Sequence, residues 1–168
     1  MNEAQFWHLI AKSQRRGSDC DEQAEQLCGL LALLEPDEIG DFKRHFDRHR
    51  VQAYRWDLWA VAYILDGGCS EDRFDYFCCW LIGRGQKAFE AALSSPETIA
   101  DLVHGEEPEV ECESLLYAAD EAYERVTGTE MPAIAIQFPP EPLGQRWEPD
   151  ELERVYPDLY ARFFPASE

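Results

Sequence analysis

The side chains best suited to chemistry crowd into one stretch. Residues 54–86 read YRWDLWAVAYILDGGCSEDRFDYFCCWLIGRGQ, which places Arg55, Trp56, Asp57 and Trp59 ahead of Arg73, Asp75 and Tyr76, with Arg84 following. Carboxylates beside guanidinium groups and aromatic rings can orient a small ligand, or exchange protons with it where a pocket raises their proton affinity. On a helix, Trp56, Trp59 and Tyr63 fall at i, i+3 and i+7 and form an aromatic ridge, with Asp57 about 100° to one side of Trp56. An aspartate in so apolar a segment requires a partner, and Arg55, Arg73 or Arg84 could supply it across a helical hairpin. Two readings follow: an ion pair that ties two helices together, or a polar pocket in which Asp57 and Asp75 act on a ligand.

Asp41, His45 and His49 lie at successive i+4 steps, so a helix would line them on one face, where imidazoles and a carboxylate can hold a divalent ion. The stretch HFDRH lacks the Glu that follows the first His in zincins, and Arg44 and Arg48 would repel a cation. His8 and His104 are distant in sequence. A solvated helix face is the expectation, with no metal and no cofactor. Cysteines at 20, 28, 69, 78, 79 and 112 form no C-x-x-C pair, and the first residues lack a signal-peptide core, which points to reduced thiols in a cytoplasmic protein. Cys78 and Cys79 are expected as small buried residues. Cys69 precedes a helix start, where a thiolate would be favoured, and reads as a turn residue or as a reactive thiol.

These groups need elements to position them, and the composition supplies a folded chain. Of 168 residues, 45% are hydrophobic and 12% aromatic, well outside the range of a disordered acidic chain. With 15 Lys and Arg against 34 Asp and Glu, the formal charge is −19, which argues against nucleic-acid binding through a general basic surface. No apolar window approaches the roughly 20 residues that span a bilayer. The net charge is −6 up to residue 100 and −13 beyond it. Against that trend, residues 43–55 hold five Lys or Arg and two His with one Asp. That stretch could bind a phosphorylated ligand or an acidic partner, although pairing with an acidic helix at 106–124 is the plainer expectation.

Hydrophobic periodicity predicts an all-α fold of seven to nine helices in a single domain, with a helical body at 1–130. Helices are expected over 2–14, from Asp19 to Leu34, and from Pro36 with Ile39, Phe42, Phe46 and Ala53 on one side. The stretch 54–65 forms a hairpin with 71–82, the first stopped by Asp66-Gly67-Gly68 and the second capped by Ser70. Short helices follow at 86–93 and from Pro96, then a longer one over 109–127 stopped by Gly128. Residues 131–168 carry seven of the ten prolines and form an arm. Its alternating Ile134, Ile136 and Phe138 suit an extended segment or an edge strand, and short helices near Pro149 and Pro157 should pack back on the body.

The segments FWHLI (6–10), YRWDLWAVAYILDGGCSEDRFDYF (54–77), WLIGRGQ (80–86) and SPETIADL (95–102) together resemble an uncharacterised bacterial family of domains of unknown function, whose members sometimes sit beside WGR-type domains. The resemblance covers about residues 2–130 and implies a bacterial protein, with no activity to carry over. No nucleophile-elbow, Walker, dinucleotide or kinase signature is present. The expected function is a non-enzymatic protein-interaction or regulatory module, such as a toxin-neutralising one, that docks a basic partner and involves no membrane. The competing expectation is a small-molecule-binding or hydrolytic domain built on the Arg, Asp and Trp residues of the central hairpin.

Overall fold

In the computed structural model, residues 1–16 and 19–164 are described; the first helix, expected to end at 14 with a break over 15–18, runs on to Arg16, and Gly17 and Ser18 lie outside the described residues. Nine α-helices and two short 3₁₀ segments account for the regular structure of these residues, with no named strand. They are α1 (Glu3–Arg16), α2 (Cys20–Leu31), α3 (Pro36–Ala53), α4 (Trp56–Asp66), α5 (Glu71–Gly83), α6 (Gln86–Ser94), α7 (Glu113–Thr127), α8 (Leu152–Val155) and α9 (Pro157–Phe163). The fold is all-α, as the periodicity predicts. No described helix is long and apolar enough to cross a membrane.

Helix α5 lies at the centre. Its second half, Phe77 to Gly83, is apolar all round and accordingly buried without a break, and the helix packs against α1, α3, α4, α6 and α7, while Glu71, Asp72 and Arg73 at its start stay exposed. Its start follows the expected chemistry: the Ser70 hydroxyl accepts a bond from the Arg73 amide at 3.3 Å, and Glu71 and Asp72 sit in the first turn against the positive end of the dipole. Gly67, at φ +67°, closes α4 in the left-handed conformation that glycine adopts at no steric cost. Helices α2 and α7 pack together along their length, and a Cys20–Cys112 disulfide joins their N-terminal ends with Cα atoms 5.4 Å apart. The expectation of unpaired thiols therefore fails at this pair, because the fold brings together two cysteines 92 residues apart. Cys78 and Cys79 are buried as expected.

Other departures have local causes. Helix α7 starts at Glu113 rather than at residue 109, because the Cys112 amide donates to the Tyr76 carbonyl at 3.0 Å and Val110 is buried, so this stretch is pinned along α5 instead of coiling. Helix α4 starts at Trp56, since Arg55 is extended beside Leu143, whose carbonyl accepts from the Trp56 amide and whose amide donates to the Tyr54 carbonyl, each at 2.9 Å. The arm forms no strand: residues 130–142 run extended along α3 toward its C-terminal end, with Ile134 and Ile136 turned partly inward. Trp147 then donates to the Trp56 carbonyl at 2.6 Å. Buried Leu152 and Leu159 seat the terminal helices, and Arg162 holds the carbonyls of Ala100 and Val103 at 2.9 and 3.0 Å.

Candidate functional site

The central residues divide among separate ion pairs instead of meeting in one pocket. Asp57 lies in the first turn of α4, where its carboxylate accepts from Arg55 at 3.0 and 2.5 Å and from the Leu58 amide at 2.8 Å. Its partner is thus two residues away, not across the hairpin, because Arg55 is extended immediately before the helix and its guanidinium reaches forward while also donating to the Leu93 carbonyl at 2.9 Å. Trp56 stacks on Trp59 and Trp59 on Phe74, at centroid distances of 5.3 and 4.9 Å, and the Trp59 indole donates to the Cys69 carbonyl. Arg73 bridges Asp66 and Glu111. The Glu113 carboxylate near Tyr76 raises the pKa of the tyrosine hydroxyl. Arg84 lies over Trp80 and donates to Gln23 at 2.7 Å; burial lowers its pKa from the ordinary arginine value.

Asp75 opens onto a cleft between α3, α5 and the arm, whereas Arg73, with Asp66 and Glu111, borders a separate one lined by the end of α4 and the 106–111 loop. The two Asp75 oxygens receive Arg50 in a forked contact of 3.0, 2.8 and 2.7 Å, and the remaining arm of the guanidinium reaches Asp47 at 2.8 Å. Burial opposes the charge on Arg50, but the bonds and negative charge of Asp75 more than offset it and hold the guanidinium above its ordinary pKa. The ring of Phe138, brought in by the arm, lies 5.2 Å from the Arg50 guanidinium and meets Tyr54 edge-on at 5.6 Å. Together with Glu71, Asp72 and Phe74 these groups enclose about 330 Å³. Tyr54 donates to Glu71 at 3.4 Å, and burial together with that carboxylate raises its hydroxyl pKa.

The sequence singles out Asp75 but not Arg50, Asp47, Tyr54 or Phe138. Arg50 and Asp47 carried an i, i+3 signal within the basic stretch. Nothing local marks Phe138, which is 88 positions from the guanidinium it covers.

The histidine face is not solvated. His45 and His49 are 9% and 4% exposed, because α1 lies across them: His49 bonds Glu3 at 2.9 Å and stacks on Phe6 at 5.0 Å, and His45 bonds the Met1 carbonyl at 3.0 Å. Asp41 pairs instead with Arg44 and the Met1 amine, and bonding to that amine lowers its pKa. No group of three or more potential ligands among the described residues is arranged for a metal. Burial and the nearby Asp66 push the Cys69 thiol up to about 12, so the turn reading, not the reactive one, describes it. The basic stretch pairs mostly with its own acids and with Asp75; Lys43 alone reaches α7, at 3.2 Å from Asp120.

Fold and site together define a small all-helical protein whose central polar groups are tied into ion pairs and whose extended arm completes one acid-rimmed cleft. The chain belongs to the family described as protein of unknown function (DUF4240), whose sequence model matches residues 1–125. The arm that carries Phe138 lies beyond that match. No curated protein and no solved structure matches the chain.

Proposed function

We infer that this chain is a non-enzymatic docking module of the bacterial cytoplasm, with a regulatory role of the toxin-neutralising kind, whose acidic α2–α7 face binds a basic partner protein. One observation carries the reading. On α7, Glu113, Asp120, Glu121 and Glu124 surround a Tyr117 that is 46% exposed, while exposed Asp21 and Glu25 of α2 lie at the seam, where Ser114 bonds Asp21 and Arg125, the one cation in either helix, pairs with Glu25. Aromatic side chains are favoured anchors at interfaces, and clustered carboxylates steer a cationic surface toward them. The engagement of Asp57, Asp75 and Asp66 by arginines supports binding over hydrolysis, since none of them stands ready as a free acid or base. In a reducing cytoplasm, Cys20 and Cys112 would stand as adjacent thiols.

Capture of a partner at low salt tests the reading. The paired reversal Glu121→Lys/Glu124→Lys should abolish capture and weaken the salt dependence, because exposed charges are screened within about 10 Å at 0.1 M salt. The control reversal Glu153→Lys on α8 should leave both unchanged. Capture indifferent to the α7 reversal would refute the assignment.

A further inference from the structure

The cleft between α3, α5 and the arm has a chemistry of its own. At about 330 Å³ it sits at the small end of ligand cavities, large enough for one side-chain head group with its methylenes. Its walls include the rings of Tyr54, Phe74 and Phe138. The geometry of Phe138 with Arg50 is already that of a cation against an aromatic face.

The charge count points the same way. Arg50 is the one cation among the lining residues, and Asp75 already matches its charge. Glu71 and Asp72, exposed at the opening, have no ion-pair partner among the described residues. The N-terminus of α5 contributes about half a positive charge, which leaves the cleft negative by roughly one and a half charges. An anionic ligand would meet this surplus unpaired, and a neutral one would leave it unanswered.

We propose that this cleft binds the ammonium or guanidinium head of a lysine or arginine side chain presented by a basic partner protein. The proposal rests on the docking reading above and gives it a specific anchor point: a cationic side chain enters beside Phe138 with Glu71 and Asp72 closing on its charge. Because the arm supplies one wall, the site exists only in chains whose C-terminal segment follows this path.

Titration of the isotope-labelled full chain, followed by NMR, tests it with three probes: Nα-acetyl-lysine methylamide, its uncharged counterpart Nα-acetyl-norleucine methylamide, and putrescine. The lysine mimic should give saturable shifts at Tyr54, Phe74 and Phe138, and the norleucine compound should bind at least about tenfold more weakly, since the site's selectivity is for charge. Phe138→Ala and the pair Glu71→Gln/Asp72→Asn should each weaken the lysine mimic by about fivefold. Equal binding of the norleucine compound, or shifts of the lysine mimic scattered over the acidic surface, would overturn the proposal. Putrescine binding well above the lysine mimic would overturn the assignment to a protein side chain in favour of a free amine. Partner capture that survives Phe138→Ala but is lost on the α7 reversal overturns this site and leaves the docking reading standing. Saturable lysine-mimic binding by a chain whose capture ignores the α7 reversal upholds the site and overturns the acidic-face reading.

Discussion

Truncating the two members of the Arg50–Asp75 pair should cost unequal amounts, and the inequality follows from what each truncation leaves behind. In Asp75→Ala, Arg50 keeps Asp47 at 2.8 Å and the ring of Phe138 at 5.2 Å. Asp75 is about one-third exposed, at 32%, so water can replace part of what its carboxylate supplied. The expected loss is about 1–2 kcal/mol, near the value of a charge-assisted bond in a partly wet site. In Arg50→Ala, Asp47 is left 6% exposed with Lys43 as its nearest remaining cation at 3.9 Å, and the packing on Phe138 is lost as well. Orphaning a buried charge costs about 3–5 kcal/mol, and the distant lysine places this case at about 3 kcal/mol. For a chain of this size that corresponds to a fall in Tm of roughly 6–12 °C. Urea unfolding followed by far-UV circular dichroism measures each variant, and the double variant should show a coupling of about 1–2 kcal/mol. If Asp75→Ala costs as much as Arg50→Ala or more, the account of Arg50 as the hub between two carboxylates is wrong.

Opening the Cys20–Cys112 bond removes a cross-link between residues 92 positions apart, worth about 4–5 kcal/mol in the chain-entropy treatment, so thermal melts with and without reductant should differ and Cys20→Ser should reproduce the reduced value; coincident melts would refute the link. Gly83→Ala would place a methyl 2.7 Å from Leu115 Cδ1 and 3.2 Å from Gln23 Oε1, and should destabilise by about 1–3 kcal/mol in spite of alanine's better helix propensity. Burial first, and then Asp57 and Glu97, push the Tyr156 hydroxyl up to about 12. A pKa raised in the folded state means that the unfolded chain releases its proton first, so stability is full below the ordinary tyrosine pKa of about 10 and falls as pH rises toward 12. Tyr156→Phe should flatten that slope in alkaline unfolding curves, and an unchanged slope would count against the assignment.

Much of this fold is legible without coordinates, because it depends on neighbours a turn or so apart. Ser70 with Glu71 and Asp72, Gly67 after Asp66, and Gly128 after Thr127 announce helix ends through local hydrogen bonding and backbone freedom. The apolar run through α4 and the stripe of Ile39, Phe42 and Phe46 announce burial through period alone. Partner choice is not legible in that way. A sequence shows that Asp57 needs a cation, but Arg55, Arg73 and Arg84 are equivalent candidates until the chain folds and Arg55 takes the place; nothing local pairs Asp75 with Arg50, which the crossing of α3 over α5 brings to it. The burial of His45 and His49 depends on α1 lying across α3, and the cleft depends on where an arm without local periodicity comes to rest. The chain by itself therefore determined the helices, their ends and the supply of charged and aromatic groups. Only the tertiary structure decided which of those groups meet, because contact between residues far apart in sequence is set by packing whole elements together, and no short-range preference encodes it.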